Sequence, residues 1–598
     1  MKNIGLKITG CFLAIQFLIL LLLRFRGSYH SFYINAYNYF LDSSYFKYDI
    51  FLSNSLLFDS TIYYQLLSLI GVEQETDVLL FCIYLVLIFI NLYFYSKIIR
   101  RFYNPTDKWS VALFLLPALV LGNFLAPNAE SALIYSHTGT ASQVAFSSIL
   151  LTIFFTVQHK WRFVIMFSLI SLLLSSKHSA FPIFVSFTYF LITQFGYRFV
   201  IKLYTIFSLI FIPVVHTYFS LVSEEYIQKN IQLIDFIILR DQHEDAWHLQ
   251  SARGISKLIL GFICLFASIK SIQSLSYKTY LSTIFYLSLI AVFFGAIYTS
   301  TLYQFYPEPY LVLLSTVKAM FLMQFFACAG ISKLIIESSM NNLSKGIFIA
   351  ALFFGSFGGQ AGENLAIFII VIGSVLQISA FQTVLKRLLS YSEFQYLSHF
   401  KAKIPIDAQI VLVVLSMTIP ITANTLNNKL GSYSQYYGGR FTIVDTSNKF
   451  LEEVSDLKYC KDFNFLPIEE RYFFKNINTN QLQNITNPFL IYFSRKSNYL
   501  GDPAHLYLDL ETQQKYLKRK ANVMYLFNET TSVLEKDKAW NSLGQEQVVL
   551  VAPLELIPEY FKQKVSLVSN NFIYIFSSGV KQRDEFIKDC KSFGRGTA

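Results

Sequence analysis

Charge is what this sequence has least of. Only 15% of its 598 residues are Asp, Glu, Lys or Arg, against about 25% in an ordinary soluble domain. Proline is scarce as well, 14 in the whole chain, while Phe and Tyr number 60 and 39. That balance excludes collagen-like repeats and intrinsic disorder. The six cysteines form no CxxC and no His/Cys cluster, so nothing supports a structural zinc or a thioredoxin-type site. Cys11, Cys82, Cys264 and Cys328 sit singly in apolar stretches, where cysteine acts as a small hydrophobe. Cys460 and Cys590 alone lie in polar sequence, and they can pair if that region is oxidising. The net charge of +11 raises the question of nucleic acid. No basic stripe with interleaved aromatics accompanies it, and no nucleic-acid partner is expected.

What the chain has instead is hydrophobic length: 54% apolar residues and a mean hydropathy of +0.44. Runs able to cross about 30 Å of hydrocarbon recur as far as residue 424. They fall at 6–23, 79–96, 110–126, 140–157, 163–176, 181–196, 203–221, 255–270, 279–297, 310–330, 346–358, 364–381 and 409–424. The first is followed by Arg24 and Arg26 and has no small-residue cleavage site, which reads as a retained span. The expected fold is therefore an α-helical polytopic membrane protein of about thirteen spans, with residues 425–598 as a separate domain. Lys and Arg collect in alternate loops, from Lys97, Arg100 and Arg101 through Lys160 and Arg162 to Lys386 and Arg387. The positive-inside rule makes those loops cytoplasmic. The N-terminus is then cytoplasmic, and the C-terminal domain extracytoplasmic. The expected location is the cell membrane, the inner membrane of a bacterium.

Beyond residue 424 the apolar runs shorten and alternate with polar helical patterns. Ser447 to Lys458 and Leu510 to Phe527 read as helices. Phe489 to Phe493 and Val548 to Ala552 read as strands, and Val565 to Phe576 as two strands broken at Asn570-Asn571. Strands alternating with helices predict a small α/β domain.

Candidate chemistry lies in the external loops. The first of them, 27–78, sets Asp42, Asp49 and Asp59 among aromatics. A carboxylate just outside the bilayer can deprotonate an acceptor hydroxyl, or bind a divalent cation that neutralises a leaving phosphate. The same acids can equally solvate an interfacial helix. The loop after the seventh span holds Arg240, His243, Glu244, Asp245, Trp247 and His248 within nine residues. Arginine there can hold a phosphate, and tryptophan a sugar face. Lys318 lies about half way into an apolar span. A cation at that depth costs about 2.5–3.5 kcal/mol and reads as functional unless it snorkels outward. Glu130 and His137 in the 128–140 loop, Lys177-His178 at a span end, and Ser494-Arg495-Lys496-Ser497 with Asp502 and His505 in the tail are lesser candidates.

The chain resembles the GT-C superfamily of polyprenyl-phosphate-sugar-dependent membrane glycosyltransferases, and within it the uncharacterised bacterial multi-pass members. The resemblance rests on architecture and on three loose motifs. The first is Leu41-Asp42-Ser-Ser-Tyr-Phe46-Lys-Tyr-Asp49-Ile-Phe51, with Ser43 and Ser44 where a proline-containing step is usual. The second is Arg240, His243 and Trp247, and the third is Phe493-Ser-Arg495-Lys496-Ser497. It implies inverting sugar transfer, with or without metal, from a polyprenyl-phosphate donor to a glycan, lipid or protein acceptor. The base would be Asp49 or Asp42. Arg240 and Lys318 would bind phosphate, and Trp247, His243 and His137 would contact substrate. The family's adjacent Asp-Glu pair is absent. Two other readings stand beside this one: a transporter or flippase of lipid-linked glycans, and a non-catalytic protein of envelope assembly.

Overall fold

The computed structural model describes residues 61–70, 76–103, 141–240, 252–313, 463–467, 510–528, 530–553, 559–568 and 572–589, with pieces of one to three residues elsewhere. The chain forms two compact units. One comprises 1–25 and 82–428, the other 26–81 and 429–598. The described residues are mostly helical, with one small sheet near the C-terminus.

After a short helix, α1 (Thr61–Ser68), come α2 (Thr76–Tyr103), α3 (Ala141–Thr156), α4 (Trp161–Leu174), α5 (Ser176–Phe195) and α6 (Tyr197–Leu221). They are followed by α7 (Glu224–Arg240), α8 (Ala252–Ser271), α9 (Leu275–Ser300), a 3-10 turn at Leu302–Gln304, and α10 (Pro309–Leu313). Seven of the thirteen expected spans are overlaid by α2, α3, α4, α5, α6, α8 and α9. The other six lie outside the described residues or are described only in fragments.

Among the described residues, α6 and α9 are both long and apolar enough to cross a membrane. Their surroundings differ. α9 packs one face, with Tyr280, Leu281, Ile284, Ser288 and Val292 buried, and exposes Tyr286, Ile290, Phe293 and Ile297. α6 buries only Val200 and Phe219, and exposes Ile206, Phe207, Leu209, Ile210 and Ile212. A helix that is apolar all round and barely covered has a surface suited to hydrocarbon.

The shorter α4 carries the same signature in sharper form. It buries Ser168 and Ser171 along with Val164 and Leu174, and exposes Phe163, Ile165, Met166, Leu169 and Leu173, a run of outward large apolar side chains that a water-soluble helix avoids. Small hydroxylic residues at helix contacts, with large apolar ones outside, are what lipid-embedded packing favours. The bundle continues the pattern. Ser147 donates to Asn91 at 2.6 Å, Thr188 meets Tyr204 at 2.6 Å, and Tyr189 meets Ser276 at 2.6 Å. Gly196, at φ 80°, turns the chain from α5 into α6, a backbone conformation glycine adopts without steric cost.

In the second unit, β1 (Asn464–Pro467), α11 (Leu510–Phe527), α12 (Val533–Gln545) and β2 (Val548–Pro553) precede β3 (Ser566–Val568), β4 (Phe572–Phe576) and α13 (Val580–Asp589). The sheet order is β1-β2-β4-β3, with β1 parallel to β2 and the other pairs antiparallel. Phe586 of α13 packs on Phe463, Tyr574 and Phe576 at 5.2–5.4 Å. Ser532 and Glu535 form a reciprocal capping box that starts α12. The expected helix at 510–527 is observed, as are strands at 548–553, 566–568 and 572–576. The expected elements at 447–458 and 489–493 lie outside the described residues.

Arg519, 2% exposed, pairs through Nε with Glu546 at 2.8 Å. Glu546 is 26% exposed and keeps access to water, so the loss is that of a charged hydrogen-bonded pair. Arg519→Ala is therefore expected to destabilise this unit by about 2 kcal/mol. The check is denaturant-dependent proteolysis of the C-terminal segment in the full chain. An unchanged midpoint would show the pair to be dispensable.

Candidate functional site

The described structure frames the second candidate loop on both sides. α6 ends at Leu221, and after Val222 the Ser223 hydroxyl accepts from the Tyr226 N–H at 3.3 Å. That cap opens α7, where Glu224 and Glu225 complement the helix N-terminus. Asn230, Leu233 and Ile234 face inward, while Glu224, Gln228, Lys229 and Gln232 face outward. The helix delivers the chain to Arg240, its last residue.

α7 packs against the 302–304 turn and against α10. Tyr303 donates its phenolic proton to Asp235 Oδ1 at 2.8 Å. The Tyr298 hydroxyl shares its single proton between the carbonyls of Tyr306 and Glu308, each at 3.0 Å, and accepts from the Glu308 N–H at 2.9 Å. His216 Nδ1 lies 3.2 Å from the Tyr306 hydroxyl, and the Phe219 ring packs on Tyr306 at 5.8 Å. The 302–308 segment is thus stapled to α6, α7 and α9 at once. Pro309 then starts α10, five residues of helix that end five positions before Lys318.

Burial, and next to it the Asp235 carboxylate, push the Tyr303 phenol above its usual value. A tyrosine whose folded value is raised contributes fully below its unfolded value of about 10, and that contribution fades as pH rises through the folded value. Proteolytic protection of 302–308 should therefore stay flat through neutral pH and fall only above about 10. Tyr303→Phe should shrink that alkaline step, leaving the part that Tyr298 contributes. A fall that begins near pH 7 would contradict the link.

Of the candidate residues, Asp42, Asp49, His137, His243, Trp247 and Lys318 lie outside the described residues, as do Ser494 to Ser497, Asp502 and His505. Arg240 is described as the C-terminal residue of α7. The elements leading to Arg240 and to Lys318 pack together. His178 has a structural tie: its Nδ1 lies 2.8 Å from Ser175 Oγ at the α4–α5 junction. The tyrosine staple of 298, 303 and 306, with Asp235 and Glu308, escaped the sequence reading. Its signal was present as three tyrosines and a glutamate within eleven residues of a span end. Among the described residues no group of His, Cys, Asp and Glu is placed to hold a metal ion.

The described residues are largely helical, with two helices long and apolar enough to cross a membrane and a small mixed sheet. Compared with known families, characterised proteins and solved structures, the chain has no match.

Proposed function

We propose that this chain is an integral membrane glycosyltransferase of the GT-C type in a bacterial inner membrane. It has about thirteen spans, a cytoplasmic N-terminus and an extracytoplasmic C-terminal domain. It moves a sugar from a polyprenyl-phosphate donor to a glycan, lipid or protein acceptor on the outer face. Asp49 or Asp42 is the base, or the ligand of a divalent cation. Arg240 and Lys318 bind the phosphate, and His243, Trp247 and His137 contact the sugar or acceptor.

The observation that carries this reading is the packing of α7 on the 302–313 segment. It joins the element that ends at Arg240 to the one that leads to Lys318, and the same segment is tied to the end of the lipid-suited helix α6. A polyprenyl donor would need cations for its phosphate near a surface that accepts its chain, and the contact between these two flanking elements supports that reading. The first loop and the C-terminal segment also fall in one compact unit, in keeping with both lying on one side of the membrane.

Lipid extracted from the purified protein tests the reading. A polyprenyl phosphate or its sugar conjugate is expected, enriched over the bulk membrane and reduced in a double Arg240→Gln, Lys318→Gln variant. Bulk phospholipid alone, in both proteins, would remove the assignment.

A further inference from the structure

One end of the helical bundle carries a basic surface. Arg100 and Arg101 close α2, Arg162 opens α4, Arg198 opens α6, and Lys270 and Lys278 flank the α8–α9 turn. All six are exposed. The structure draws these helix ends together. Phe102 stacks on Tyr277 at 4.8 Å, and Tyr103 bonds to Ser268. Tyr189 bonds to Ser276 at 2.6 Å, and Trp161 packs on Phe190 at 4.6 Å.

The stretches 97–103, 158–162, 197–202 and 269–278 contain no Asp or Glu. Among the described residues none of the six cations forms an ion pair. Two of them lie over rings instead: Arg101 over Phe154 at 5.2 Å, and Lys270 over Phe266 at 5.3 Å. Immediately along the same helices, Phe163, Ile165, Phe199 and Ile201 face outward.

We propose that this collar binds the headgroups of anionic phospholipids of the surrounding leaflet. The match is one of charge and of shape. Unpaired cations sit where headgroups lie, and exposed apolar side chains follow at the depth of the acyl chains. Basic groups at a membrane surface attract acidic lipid by about 1 kcal/mol each at most, and salt screens them. The zwitterionic lipids lack the net charge to compete.

The proposal rests on the membrane-spanning part of the reading above and is independent of sugar transfer. The test uses the full chain in nanodiscs of phosphatidylcholine and phosphatidylglycerol with identical acyl chains. Lipids retained on release are read by native mass spectrometry. Phosphatidylglycerol should be retained in preference at low salt, and the preference should shrink as salt is raised. In a variant with Arg100→Gln, Arg101→Gln, Arg162→Gln and Arg198→Gln it should fall by up to roughly fivefold for each charge removed. Lys536→Gln with Lys538→Gln, in the second unit, should leave it unchanged. Equal retention of both lipids by the wild-type protein, or a preference indifferent to salt, overturns the proposal even if the variant does not fold. Should the chain fail to stay in discs of either composition, the membrane reading falls with it. Retention without preference removes the collar alone.

Discussion

Replacing Asp49 or Asp42 by Asn is expected to lower sugar transfer about 10²–10⁴-fold in whichever position holds the base. Asparagine keeps the size of the side chain and its hydrogen-bonding reach. It can neither take a proton from an acceptor hydroxyl nor carry the charge that holds a cation. The loss should appear in kcat with KM little changed, because the proton moves only as the transition state forms. If the carboxylate serves a divalent cation instead, added metal should partly restore the Asn variant, which a simple base would not allow. Full turnover in both Asp49→Asn and Asp42→Asn would remove the first loop from the chemistry.

The second large effect concerns α6. Leu209 stands at the middle of the helix and is 68% exposed. Leu209→Asp should shift insertion of this segment by about 3–4 kcal/mol, which is roughly 10²- to 10³-fold. A reporter fusion that scores translocation of the segment measures this directly. Val568→Asp, at an exposed strand position of the C-terminal sheet, should change stability by no more than about 0.5 kcal/mol. The contrast separates an apolar surface that meets lipid from one that meets water. Insertion of the Leu209→Asp segment at the wild-type level would show that α6 does not rely on hydrocarbon.

The sequence made some elements plain and hid others, for physical reasons. Long apolar runs announce themselves, so the expected 140–157 and 163–176 lie within two residues of α3 and α4. The helix at 510–527 was equally visible, since its amphipathic spacing is uninterrupted. α7 was overlooked because it is neither apolar enough for a span nor cut off by glycine or proline. Its evidence lay in Ser223 before two glutamates, and in the spacing of Ile227, Asn230, Leu233 and Ile234. Asn230 occupies an inward position that an apolar residue would have marked. The Ser532-x-x-Glu535 box that starts α12 was written in the sequence and passed over. The inward serines of α4 could not be read either. Hydropathy averages over a helix, and only packing reveals that Ser168 and Ser171 point in while Leu169 and Leu173 point out. At the candidate site the loose motifs named residues, and the structure added the tyrosine staple that holds the flanking segments. Three tyrosines near a span end look like ordinary interfacial anchors until Tyr303 is seen to meet Asp235, Tyr298 the 306 and 308 carbonyls, and Tyr306 the His216 ring.

The most direct measurement is consumption of a labelled polyprenyl-phosphate sugar by the purified full chain in proteoliposomes, with glycan, lipid and protein acceptors supplied in turn. The account predicts release of polyprenyl phosphate in proportion to enzyme, sugar appearing on one acceptor class, and loss of both in the double Asp42→Asn, Asp49→Asn variant. A donor that stays intact at every protein concentration and with every acceptor, or one consumed equally by that double variant, would contradict it.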